Sequence, residues 1–151
     1  MIRKILLSGV ALTAVLLLAA AVRPEDQGRA DDERAIRAVA QAYFDGRERG
    51  DTALLGSAFL LPQATMYAWR DTVLLDLPIP TWLVRIANAP RSARPPEDRD
   101  RILSIDIDHT VAHMKLETRT RDRVITDHMN LVKVNGRWVV VNKIFENVPR
   151  R

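Results

Sequence analysis

The sequence predicts an α+β domain in which helices precede an antiparallel sheet, and three observations carry that prediction. Ile36, Val39, Ala40, Tyr43 and Phe44 recur at i, i+3, i+4, i+7 and i+8, which is one apolar helical stripe. Beyond residue 100 the period changes to two. The segments show no repeated strand–helix–strand alternation of the kind a parallel sheet requires.

The first segment stands apart from this domain. Met1-Ile2-Arg3-Lys4 is a basic start, and Ile5 to Val22 carries no charge. Ala19-Ala20-Ala21 supplies small residues for cleavage, so residues 1–21 read as a secretory signal peptide. An uncleaved membrane anchor over residues 5–22 is the alternative. Either reading makes the rest exported, to a bacterial periplasm or the extracellular space. Residues 22–31 read as a flexible leader, and residues 32–148 as the domain.

Within the domain, Asp31 or Asp32 caps the first helix, and Asp32 and Glu33 suit its positive first turn. Gly50 stops it. Asp51 caps a second, short helix burying Leu54, Leu55, Ala58 and Phe59, and Pro62 closes the unit. Thr65 to Trp69 and Thr72 to Leu77 are two short strands about Arg70-Asp71. Pro80 suits the first position of a third helix, with Trp82, Leu83 and Ile86 inward. Asn88 to Asp100, with three prolines, is a surface loop.

Period two then takes over. Ile102 to Asp108 is a strand with Leu103, Ile105 and Ile107 on one face, leaving Asp106 and Asp108 solvated. Thr110 to Thr120 places Ala112, Met114 and Leu116 on one face, with His113, Lys115 and Glu117 on the other, so one side of the sheet is wet. Val124 to Val134 and Arg137 to Asn147 form a hairpin about Asn135-Gly136. Both of its strands are apolar on both faces, so they are expected at the sheet centre or under a partner.

Composition removes several chemistries. The 151 residues are 47% hydrophobic and 28% charged, enough for one domain with a real core. There is no cysteine, hence no disulfide, thiolate nucleophile or cysteine zinc site. The six glycines make no phosphate-cradling loop, and the four serines no nucleophile elbow. Net charge is +4. Removing residues 1–21 takes away Arg3 and Lys4, leaving 21 basic against 19 acidic residues, or +2. No basic stripe with interleaved aromatics appears, so nucleic acid is not an expected partner.

Three stretches resemble the nuclear transport factor 2-like (SnoaL-like) superfamily. They are Ala42-Tyr43-Phe44-Asp45-Gly46 leading to Gly50-Asp51; Ile102 to Asp108 followed by Val111-Ala112; and the hairpin from Asp127-His128 through Asn135-Gly136-Arg137-Trp138 to Asn142-Lys143-Ile144-Phe145. The hairpin is similar to the ending of the branch labelled "putative lumazine-binding". The resemblance covers about residues 32–147. It implies a curved sheet around the first helix, a cone-shaped pocket and frequent homodimers. The superfamily hosts isomerases, dehydratases, cyclases, ligand binders and silent modules, so fold alone selects none of them.

Within such a cone, Asp127 and His128 are the candidate general bases. As strand neighbours they face opposite sides, so only one can enter the pocket. A two-residue turn at Asn135-Gly136 puts Asp127 beside Ile144, and a three-residue turn with a glycine bulge puts His128 beside Asn142. A structural hydrogen bond, or a salt bridge to Lys143 or an arginine, is the non-catalytic role for either. Tyr43, on the helical stripe, is a candidate donor to a ligand or oxyanion, or else a core tyrosine. Trp69 and Trp82 are candidates for stacking on a flat ring, and Asn142 for a pocket amide. Trp138 is read as packing. His109, His113 and His128 lack ligand spacing, so no metal is expected, and no cofactor. The leading expectation is an exported protein binding an apolar or aromatic small molecule. The rivals are an isomerase, cyclase or dehydratase based on Asp127 or His128 with Tyr43, and a dimeric interaction module whose pocket is filled by its own side chains.

Overall fold

The computed structural model describes residues 24–90 and 99–150, so the signal-peptide or anchor segment lies outside the described residues. Helix α1 (Pro24–Arg49) is followed by α2 (Thr52–Ser57), strands β1 (Thr65–Arg70) and β2 (Val73–Pro78), and helix α3 (Ile79–Asn88). Strands β3 (Arg101–Asp108), β4 (Val111–Arg119), β5 (Arg123–Val134) and β6 (Arg137–Pro149) complete the chain. The six strands form one curved, unclosed sheet in the order β2-β1-β6-β5-β4-β3. All pairings are antiparallel except β1 with β6. This is the expected α+β architecture, and the doubly apolar β5–β6 hairpin lies inside the sheet. No described helix is long and apolar enough to cross a membrane.

The local chemistry explains the boundaries. Helix α1 ends where Gly50 turns left-handed at φ 68°. The Asp51 carboxylate accepts from Leu54 N at 2.9 Å and caps α2. The two helices touch at Gly46, where an added Cβ would lie 2.5 Å from Leu55 N. Only glycine tolerates that approach.

The start of α1 is corrected. The leader expected over 22–31 is helical from Pro24 onward, because proline is tolerated in a first turn and Glu25 and Asp26 complement its positive end. Asp32 therefore caps nothing. Its carboxylate instead accepts from Lys133 Nζ at 2.6 Å and from the Trp138 indole at 2.9 Å. That polar tie fastens α1 to the β5–β6 hairpin. It also holds the Asp32 carboxyl below its ordinary pKa, through the Lys133 bond first and the Trp138 bond second.

The core lies between the inner sheet face and the helices. Ile36, Ala40, Tyr43 and Phe44 meet Met114, Leu116, Met129, Leu131, Trp138 and Val140 there. On β3 the expected face is partly wrong. A register shift between Ile102 and Ser104 turns Ile102 inward with Ile105 and Ile107, and leaves Leu103 exposed.

A second register shift shapes the site. The hairpin turn has two residues, with Asn135 and Gly136 both at positive φ and Val134 opposite Arg137. A regular ladder from that turn would pair Lys143 with His128, on the outer face. Between Asn130 and Leu131 the register slips past Val141, so Met129 faces Lys143 and Asp127 faces Phe145 rather than Ile144. The bulge reverses the inward parity of β6, from Trp138 and Val140 before it to Lys143 and Phe145 after it.

Candidate functional site

Tyr43, Asp127 and Lys143 meet beneath the inner face, brought together from α1, β5 and β6. Tyr43 donates its hydroxyl proton to Asp127 Oδ2 at 2.8 Å. Lys143 Nζ donates to the Tyr43 oxygen at 3.1 Å. It also lies 2.9 Å from Asp127 Oδ1. That second contact is one of charge, since Oδ1 receives no well-directed hydrogen bond. Asp127 is 0% and Lys143 3% exposed. Arg47, one turn beyond Tyr43, donates to Thr118 Oγ1 at 3.2 Å and reaches within 3.5 Å of the Tyr43 oxygen.

The ammonium of Lys143 is also ringed by aromatics. It lies 4.7 Å from the centroid of Phe145, 4.9 Å from that of Trp82 and 5.3 Å from that of Tyr43. Trp82 stacks on Tyr43 at 6.1 Å with 26° between the planes. Burial disfavours the ammonium, but the Tyr43 oxygen and the Asp127 carboxylate outweigh it, so Lys143 keeps its proton more firmly than ordinary lysine. Burial, helped by Asp127, likewise pushes the Tyr43 hydroxyl up.

Above this cluster opens a cavity of about 460 Å³. Met66, Leu75, Leu77, Ile86, Ile125 and Phe145 are its apolar walls, with Trp82 and Tyr43 as flat aromatic faces. Among the described residues its ionisable lining is Arg47, Arg70, Arg85, Lys143 and the Tyr43 hydroxyl, with no carboxylate. Asp127 sits behind Tyr43 and Lys143. The cavity therefore offers donors and positive charge, and one hydroxyl whose proton is already given away. No group of three or more His, Asp or Glu suited to a metal occurs among the described residues.

The family whose description reads "putative lumazine-binding" matches residues 31–146. The chain belongs to that family. Its fold is the nuclear transport factor 2-like fold. A nuclear transport factor 2-like protein of unknown function from Shewanella baltica is 32% identical, with a TM-score of 0.72 over 80% of this chain and 97% of its own. One from Methylobacillus flagellatus is 29% identical, with a TM-score of 0.65 over 78% and 93%. One from Silicibacter pomeroyi, at 18% identity and a TM-score of 0.70 over 80% and 98%, shares the fold. No curated protein matches the chain.

In this family member the predicted site residues divide. Tyr43 and Trp82 line the cavity, and Asp127 is the member of its pair that faces inward. His128 is the member of the pair that faces outward, with its Nδ1 3.3 Å from Nε2 of His113. Burial first, then His113 and Lys115, hold its pKa down. Trp69 also faces outward at 66% exposure, because Met66 and Ala68 set the inward parity of β1. Asn142 accepts from Asn130 Nδ2 at 2.9 Å on the outer face and does not line the cavity. Lys143 and Arg47 were not singled out as site residues. Arg47 is legible one turn after Tyr43 on the same stripe. Lys143 is legible as the salt-bridge partner of Asp127, and its place in the cavity wall only through the bulge.

Proposed function

We propose that this chain is an exported binding protein for a small, mostly apolar, aromatic molecule held in the cavity between α3, β1, β2 and the Lys143 cluster. The observation that carries the reading is the cavity itself: about 460 Å³, walled chiefly by apolar and aromatic side chains, with a few polar groups converging on it. That is the usual form of a small-molecule site. The stacked pair of Trp82 and Tyr43 gives a flat ring something to lie against. The basic start and uncharged run of residues 1–22 support export.

The rival readings have less support. A general base must reach its substrate, and Asp127 is wholly buried, paired with Lys143 and bonded to Tyr43 behind the cavity wall. A module with a self-filled pocket would leave no such space. Pairing of two copies is part of the proposal, supported by apolar side chains on the outer sheet face such as Val111 and Ile144, 50% and 53% exposed.

The test is native mass spectrometry of the full chain, expressed with its own leader and recovered after export. The expected result is a polypeptide shortened by residues 1–21 and carrying a discrete small-molecule mass, in a dimer. Protein retained in the cytoplasm would contradict export, and protein that carries no adduct from any growth medium would contradict the binding function.

A further inference from the structure

We propose that the ligand is an anion, an aromatic or apolar body bearing a carboxylate or phosphate group, and that Arg70 and Arg85 hold that group at the cavity rim. The inference rests on the cavity being a binding site and says which chemistry it takes. Among the described residues four cations line this space and no carboxylate does. Two of them are committed. Lys143 is paired with Asp127. Arg47 donates to Thr118 and Tyr43 and feels the charges of Asp127 and Asp100.

Arg70 and Arg85 differ from these. Arg70 ends β1, with its guanidinium 5.9 Å from the Phe145 ring. Arg85 lies on α3, next to Ile86 and one turn from Trp82 and Ala89 of the lining. Among the described residues neither forms an ion pair, and both are exposed at the mouth. Two guanidiniums left without a carboxylate partner on the edge of an apolar space match the planar, bidentate recognition of an oxyanion. The apolar walls lower the local dielectric and strengthen that attraction. A neutral ligand would leave the positive rim unanswered, and a cationic one would be repelled.

The experiment measures binding to the exported protein by calorimetry, with three probes on one ring system: 2-naphthoate, 2-naphthyl phosphate and the neutral 2-naphthamide. The expected result is that at least one anion binds about tenfold or more tighter than the amide, as a charge-assisted hydrogen bond allows. Its affinity weakens with added salt. In an R70Q/R85Q variant the anion falls to the affinity of the amide. Which anion is tighter distinguishes carboxylate from phosphate ligands. Equal binding of anions and amide, or a preference that survives in R70Q/R85Q, overturns the anion inference and leaves the cavity reading standing. Failure of all three probes to bind overturns both.

Discussion

Lys143 is the residue on which the inner site depends. A lysine buried to 3% exposure is tolerable only with compensation, and Asp127, Tyr43 and three aromatic rings supply it. Removing one partner strands the other. Lys143→Met is therefore expected to cost about 3–5 kcal/mol in urea unfolding, as for broken buried pairs. Replacing both, as Lys143→Met with Asp127→Leu, should recover most of that loss. A single variant as stable as the parent would contradict the pairing. The same cluster predicts an alkaline limb. Tyr43 and Lys143 hold their protons above the ordinary values of 10.0 and 10.5. Their contribution is thus complete below about pH 10 and is lost as pH climbs through the raised values. The parent's unfolding free energy should decline over that range, and Tyr43→Phe should flatten the decline.

At the scale of elements, periodicity made much of the molecule readable. The stripe from Ile36 to Phe44 placed Tyr43 inward, and Trp82, Leu83 and Ile86 followed from the helix opened by Pro80. Alternation placed Ala112, Met114 and Leu116 correctly. The misses on β3 and β6 share one cause. Alternation assigns faces only relative to a register, and a bulge changes the register without marking the sequence. Ile102 and Leu103 exchanged roles at one bulge, and Asn142 and Lys143 at the other. On β1 no bulge intervenes: Met66 and the small Ala68 take the inward positions, and the large Trp69 falls on the outward parity. Arg70 and Arg85 carry no pattern at all, since their place at the rim comes from where two separate elements end. The contact between α1 and α2 gives an element-level prediction. Gly46→Ala would press a methyl group against the Leu55 backbone. It should destabilise the protein by about 1–3 kcal/mol in thermal or urea melts, as overpacking does. A neutral effect would show that the helices are free to separate.

Over the whole molecule, the sheet and helices make a scaffold whose polar interior is concentrated in two ties. Asp32 with Lys133 and Trp138 fastens one end of α1 to the hairpin, and Tyr43 with Asp127 and Lys143 fastens the other. Between the second tie and α3 the fold leaves an apolar space with a cationic rim. Family membership brings the architecture and leaves the ligand to this chain's own side chains. The measurement that tests the account most directly is a crystal structure of the exported protein with 2-naphthoate. The account predicts the rings against Trp82 and Tyr43 and the carboxylate between Arg70 and Arg85. Naphthoate found only on the outer sheet face, with the cavity filled by rearranged side chains, would contradict it.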